Sequence, residues 1–106
     1  MKKILTVAAL LCMMSTVNAQ DSTTSCADVA ELAVEIMQKR QVNYDIMLLI
    51  NTMNDELFDR PGLLNLMQPM IDKAYSEALA TTADTREAQV TQFKDFWVQR
   101  CEASEQ

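Results

Sequence analysis

The chain has 106 residues, and its 9 basic and 15 acidic residues give a net charge of −6. It contains no histidine and one glycine. The lack of histidine excludes Ser-His and Cys-His nucleophile pairs and histidine metal sites. The single glycine excludes the glycine-rich loops that cradle phosphates. Catalysis would have to rely on carboxylates, hydroxyls, amines and guanidinium groups.

The N-terminal segment has the three parts of a secretory signal peptide. Lys2 and Lys3 form a positive start, and residues 4–14 are apolar and uncharged. Val17 and Ala19 place small residues at the two positions that a signal peptidase recognises. We therefore expect cleavage after Ala19.

The mature protein is predicted to be residues 20–106, a single domain that is periplasmic or secreted. A membrane anchor is disfavoured because the apolar run is shorter than the roughly 20 residues that span a bilayer. A lipoprotein signal is disfavoured because Leu10 and Leu11 precede Cys12 where small residues are needed.

Signal cleavage also changes the charge of the protein. Seven basic and all fifteen acidic residues remain, so the net charge moves from −6 to −8. Nucleic acids and anionic membranes bind basic surfaces, so neither is expected as a partner. A basic protein or a cation remains possible. The oligomeric state stays open, because apolar helix faces serve a dimer as well as a monomer.

Two cysteines, Cys26 and Cys101, remain after cleavage. An even number of cysteines in an oxidising compartment predicts a disulfide, and only one pairing is available within the monomer. A catalytic role is disfavoured because the chain has no CxxC motif and no histidine partner.

The fold class is predicted to be all-α. One glycine and two prolines leave few turn residues for hairpins, and apolar residues recur at helical spacing throughout. Pro69 lies inside the third helical pattern, where it predicts either a kink or a split into two helices. The predicted helices run from a Ser25–Asp28 cap to about Gln41, from an Asn43 cap to about Phe58, from Pro61 to about Ala78, and from an Asp84–Glu87 cap to about Cys101.

Helix parity supports the predicted disulfide. In a mostly antiparallel four-helix bundle, the end of the fourth helix lies beside the start of the first. Cys26 and Cys101 occupy these two places, whereas a three-helix chain would separate them. A reversal of the chain at Pro69 would remove this agreement.

Helix 1 carries the candidate partner-binding residues. Asp28, Glu31 and Glu35 recur at helical spacing opposite its apolar face, and Arg40 and Gln41 end it. A simpler interpretation is the solvated side of an amphipathic helix, with Arg40 favoured by the helix dipole.

Methionines give a weak metal candidate. Met67 and Met70 have the spacing of soft thioether ligands for Cu(I), and Met47 and Met53 could join them. We favour a packing role, because methionine fills irregular gaps in small cores. No cofactor or metal is therefore expected.

Acidic residues near the end of helix 2 give a candidate for glycosidic hydrolysis, which uses paired carboxylates. The candidates are Asp55, Glu56 and Asp59. A charged, solvated helix end is the favoured interpretation. No EF-hand spacing supports a calcium site.

Short segments along the mature chain resemble a group of small exported two-cysteine helical proteins of bacteria and their phages, which are uncharacterised. The resemblance implies a compact helical domain tied by its terminal cysteines and brings no activity, ligand or catalytic residue. The segments are Cys26, Ile36-Met37 followed by Arg40-Gln41, Ala74-Tyr75, and Phe93, Trp97 and Cys101 in one helix.

The expected function is that of a non-enzymatic exported binding protein. A small, acidic domain with one disulfide is best explained as an inhibitor or immunity-type protein that acts on a basic envelope enzyme. A periplasmic carrier of a metal or small ligand is the alternative, followed by a carboxylate-based hydrolase.

Overall fold

A computed structural model describes residues 24–105, which form four α-helices and no strand. The prediction of an all-α, four-helix fold is therefore confirmed. The predicted signal peptide and its cleavage point lie outside the described residues. The helices are α1 (Cys26–Gln41), α2 (Ile46–Leu57), α3 (Pro61–Ser76) and α4 (Ala83–Ser104).

The first two helices begin at side-chain caps. The hydroxyl of Ser25 accepts a hydrogen bond from the backbone N–H of Asp28 at 3.1 Å, as predicted. The prediction of Asn43 as the cap of α2 is wrong, because Asp45 holds that position and accepts from Leu48 N–H at 3.0 Å. Asn43 adopts a positive φ of 57° and ends the turn after α1, a conformation that asparagine tolerates better than most residues.

The third helix runs without interruption through its internal proline. Pro61 occupies the first turn, where its fixed φ suits the helix and its missing N–H leaves no bond unmade. Pro69 lies inside α3, which continues to Ser76, so the alternative of two separate helices is excluded. The helix ends before the predicted position near Ala78.

The fourth helix begins at a different cap from the predicted one. Thr82 and Thr85 form a reciprocal capping box, in which each side chain accepts from the other residue's backbone N–H. The predicted Asp84–Glu87 pair therefore lies within the first turns instead of before them. The helix also runs to Ser104, past the predicted end near Cys101.

The helices alternate in direction. A salt bridge of 3.1 Å joins Asp28 to Arg60 where α1 and α3 begin. Where these helices end, the Arg40 guanidinium donates to the Glu77 carbonyl at 2.8 Å. Helices α1 and α3 are therefore parallel, α4 packs on α1, and α2 packs on α3.

The disulfide between Cys26 and Cys101 is present, with Cα atoms 5.7 Å apart. It joins the start of α1 to the end of α4, so the predicted pairing is confirmed and α1 and α4 are antiparallel. These two helices also form the most extensive helix–helix contact in the described part of the chain.

The core contains fifteen buried apolar side chains drawn from all four helices. Leu32 is among them at 5% exposed, whereas Met47 of α2 is 60% exposed. The core residues are Val29, Leu32, Ala33, Ile36, Met37, Leu49, Met53, Leu57, Leu63, Met67, Met70, Ile71, Ala74, Phe93 and Trp97.

The only glycine of the chain allows α1 and α3 to begin side by side. A Cβ atom at Gly62 would overlap the side chain of Thr24, which precedes the Ser25 cap. Glycine therefore permits the close approach of the two helix starts. Within residues 24–105, no helix is both long and apolar enough to cross a membrane.

Candidate functional site

Two of the three candidate acidic residues of α1 share one depression, and the third forms a salt bridge. Asp28 is neutralised by Arg60 in the salt bridge described above. Glu31 is exposed and lines a shallow depression between α1 and α4, together with Lys94. Glu35 is partly buried, lines the same depression and is influenced by Glu56 of α2. The structure therefore keeps Glu31 and Glu35 on one surface and separates Asp28 from them.

Glu35 and Glu56, here called the acidic pair, give this surface its distinctive electrostatics. Burial raises the pKa of Glu35 above its ordinary value of 4.5, the negative charge of Glu56 raises it further, and Lys39 opposes the change. The Lys39 ammonium lies 5.0 Å from the centre of the Tyr44 ring. Within the described residues, the ion pairs involve Asp28, Glu77 and Asp95 and neither member of the acidic pair.

The sequence predicts Glu35 and Glu56 in different candidate sites. Glu35 belongs to the candidate binding residues of helix 1, and Glu56 belongs with Asp55 and Asp59 to the candidate hydrolytic group. All three residues of that second group are exposed at the end of α2. Only the packing of the bundle brings Glu56 close to α1, so no local sequence signal could have paired it with Glu35.

Arg40 and Gln41 belong to a polar network that holds the connection between α3 and α4. The Arg40 guanidinium bonds the Glu77 carbonyl and lies 5.1 Å from the centre of the Tyr75 ring. Gln41 donates to the Gln89 side-chain oxygen at 2.7 Å, and the Gln89 amide donates to the Ala78 carbonyl at 3.0 Å. Both candidate residues are thus engaged inside the domain.

The same network includes a tyrosine and two unsatisfied atoms. The Tyr75 hydroxyl donates to the Tyr44 carbonyl at 2.6 Å. Burial raises the pKa of Tyr75 above its ordinary value of 10.0. Arg40 Nε and Gln41 Oε1 are buried and have no hydrogen-bond partner in the described part of the chain.

The methionines with copper-ligand spacing lie in the core. Met67 is 3% exposed, and Met70 and Met53 are fully buried, whereas Met47 lies on the surface. This placement agrees with the gap-filling role favoured from sequence. Between residues 24 and 105, one group of three cysteine or acidic side chains lies close enough to share an ion, namely Cys26, Cys101 and Glu105. Its two sulfurs form the disulfide.

A groove between the start of α1, the middle of α3 and the end of α4 was not anticipated from sequence. Its volume is ≈ 780 Å³, and apolar side chains such as Val29, Leu66 and Pro69 form much of its lining. Trp97 and Arg100 lie in its wall. Arg100 carries no pattern in the sequence that predicts a site.

Comparisons of the chain with known protein families, with curated proteins and with solved structures find no match. The resemblance to small exported two-cysteine helical proteins therefore stays a prediction.

Proposed function

We propose that the protein is an exported, non-enzymatic binding protein whose acidic surface meets a basic protein partner. The partner class that fits best is a basic enzyme of the cell envelope, such as one that cuts the cell wall, which the protein would inhibit. The acidic pair of α1 and α2 forms the centre of the proposed contact.

The raised pKa of Glu35 carries this proposal. It reports a carboxylate whose charged form is disfavoured by burial and by a second carboxylate nearby. A lysine or arginine side chain of a partner, placed between the two groups, would relieve their repulsion and form charge-assisted hydrogen bonds. A cationic side chain bound beside Glu35 would therefore lower its raised pKa.

The overall charge supports the same partner class. The predicted mature chain carries a net charge of −8. Opposite charges on two proteins accelerate their encounter and suppress wrong partners, and this effect weakens as salt screens the charges. An inhibitor of a basic enzyme would use both properties.

Inhibition of a basic muramidase tests the proposal. The rate at which the enzyme clears a peptidoglycan suspension would be measured with the purified protein at low and at physiological salt. We expect the protein to slow clearance, with an effect that falls as salt rises. The double substitution Glu35→Gln and Glu56→Gln should weaken inhibition about tenfold, equivalent to about 1.4 kcal/mol.

The matched control is the double substitution Glu87→Gln and Glu102→Gln, which removes the same charge from exposed positions of α4. Inhibition by this variant should stay within about twofold of the native protein, since rim charges contribute little. Equal losses of inhibition in both variants would mean that inhibition depends on net charge and not on the acidic pair. No inhibition of muramidases, and no salt-dependent basic partner in an envelope extract, would contradict the proposal.

Export is a separate part of the proposal and has its own measurement. Mass spectrometry of the protein recovered from the producing cells should show a chain that begins at Gln20 and contains the Cys26–Cys101 disulfide. A chain that retains residues 1–19 would contradict it.

A further inference from the structure

The groove between α1, α3 and α4 has the size and lining of a small-molecule site. Ligand pockets commonly enclose about 300–1,000 Å³ and combine apolar walls with a few polar groups. This groove has a volume of ≈ 780 Å³, and Leu66, Pro69 and Val29 provide apolar wall. The groove contains neither residue of the acidic pair.

The charge of the groove is opposite to that of the protein. Its lining includes Arg100 and no acidic residue, although a carboxylate oxygen of Glu105 lies within 4.8 Å of the sulfur of Cys101, which also lines the groove. Among the described residues, Arg100 forms no salt bridge although fourteen acidic residues are present. Its guanidinium instead lies 5.2 Å from the ring centre of Phe96 and 5.8 Å from that of Trp97. Its hydrogen-bond donors are therefore not committed to an anionic partner.

Trp97, which lines the groove, has an unsatisfied donor. Trp97 is 8% exposed, and its indole Nε1 is buried with no hydrogen-bond partner in residues 24–105. A buried indole N–H normally has an acceptor, and leaving it without one is unfavourable. Because Nε1 itself is buried, a molecule in the groove contacts other atoms of the indole and reaches Nε1 only if the Trp97 side chain shifts.

We propose that this groove binds a small amphiphile with an anionic head and an apolar body. The head, a carboxylate or a phosphate, pairs with the Arg100 guanidinium, which suits planar oxyanions. The apolar body lies along Leu66, Pro69 and Val29 and reaches the indole of Trp97. The disulfide holds this end of α4 against α1, because Cys101 itself lines the groove.

Tryptophan fluorescence tests the proposal directly, because Trp97 is the only tryptophan in the chain. The oxidised protein would be titrated with decanoate, decyl phosphate and decyltrimethylammonium, each below its critical micelle concentration. We expect saturable changes in emission with one or both anions and much weaker binding of the cation, in spite of the negative net charge. The two anions identify whether a carboxylate or a phosphate head is preferred.

Two arginine variants separate the groove from general electrostatics. Arg100→Gln should weaken binding of the preferred anion about tenfold, as expected for the loss of a charge-assisted hydrogen bond. Arg86→Gln, which makes the same charge change near the start of α4 and outside the groove lining, should stay within about twofold. Circular dichroism would verify that both variants are folded.

Three results would overturn the proposal. The first is no saturable binding of either anion. The second is binding of the cation as tight as that of the anions. The third is an equal effect of the two arginine variants, or no effect of Arg100→Gln.

Discussion

The acidic pair illustrates how single residues acquire properties that their own sequence neighbours do not explain. Glu35 has Lys39 four residues later, a spacing that favours an ion pair on a helix. The Lys39 ammonium instead lies over the Tyr44 ring, and Glu35 is left beside Glu56. The ionised carboxyl group is therefore destabilised, first by its burial and then by the charge of Glu56, and Lys39 offsets part of this effect.

The raised pKa of Glu35 predicts a specific dependence of stability on pH. The folded protein holds the Glu35 proton more tightly than the unfolded chain does. The resulting stabilisation is present below the ordinary pKa of 4.5 and is lost as pH rises through the raised value. We therefore expect Glu35→Gln to be more stable than the native protein at pH 7 and equally stable near pH 3.5.

Urea unfolding of both proteins at the two pH values measures this difference. Glu87→Gln, at an exposed position of α4, serves as the control and should show no comparable gain at pH 7. A loss of stability in Glu35→Gln at pH 7 would mean that the ionised carboxylate makes a favourable contact.

At the level of the helices, α3 contains a residue that helices normally exclude. Pro69 has no backbone N–H, so the carbonyl of Asn65 lacks its usual intrahelical donor. The ring is exposed, and α3 is continuous on both sides of it, with Met67 and Met70 both buried. The burial of side chains on both sides of Pro69 therefore keeps α3 continuous.

Replacement of this proline should stabilise the domain. Pro69→Ala restores one helical hydrogen bond and removes the clash with the preceding turn, so we expect a gain of about 1–3 kcal/mol in the free energy of unfolding. Gln68→Ala, at the exposed neighbouring position, should change it by less than about 0.5 kcal/mol. Urea denaturation measures both. A loss of stability in Pro69→Ala would show that the core packing depends on a bend that proline imposes.

The presence of four helices was predictable from sequence, whereas the residues at which they begin and end were less predictable. The apolar repeats and the scarcity of turn residues gave four helices because burial of an apolar stripe depends on spacing alone. The choice of cap depends on the backbone conformation, and several polar residues near each helix end can act as the cap. Asp45 therefore replaced Asn43, and Thr82 with Thr85 replaced Asp84 with Glu87.

For the whole molecule, the disulfide constrains the unfolded chain more than any other single feature. It closes a separation of 75 residues. The chain-entropy relation gives a stabilisation of about 4.5 kcal/mol for a loop of this length. Native domains have free energies of unfolding of about 5–15 kcal/mol, so this is a large share for a domain of this size.

Replacement of both cysteines by serine should therefore lower the free energy of unfolding by about 4 kcal/mol. Urea denaturation of the variant and of the native protein, each with and without reductant, measures the effect. Reductant should bring the native protein close to the variant and leave the variant unchanged. If the free energy of unfolding falls by less than about 1 kcal/mol, the unfolded chain is restricted to a similar extent with and without the disulfide.

The candidate sites were less predictable than the disulfide because they depend on which helices are neighbours. Parity of four helices was enough to bring Cys26 and Cys101 together. The proximity of Glu35 to Glu56 depends on the position of α2 against the rest of the bundle. The groove beside Trp97 and Arg100 requires three helices to meet, and no spacing within α4 indicates this.

The bond between Cys26 and Cys101 also makes the intervening chain a closed covalent ring. A protease that cuts once within this ring, for example in the exposed turn around Val42 and Asn43, leaves both pieces in one molecule. The ends at the cut stay attached to packed helices, so the nicked protein can keep its shape. The two pieces would separate only after reduction, and a helix would be released only by a second cut.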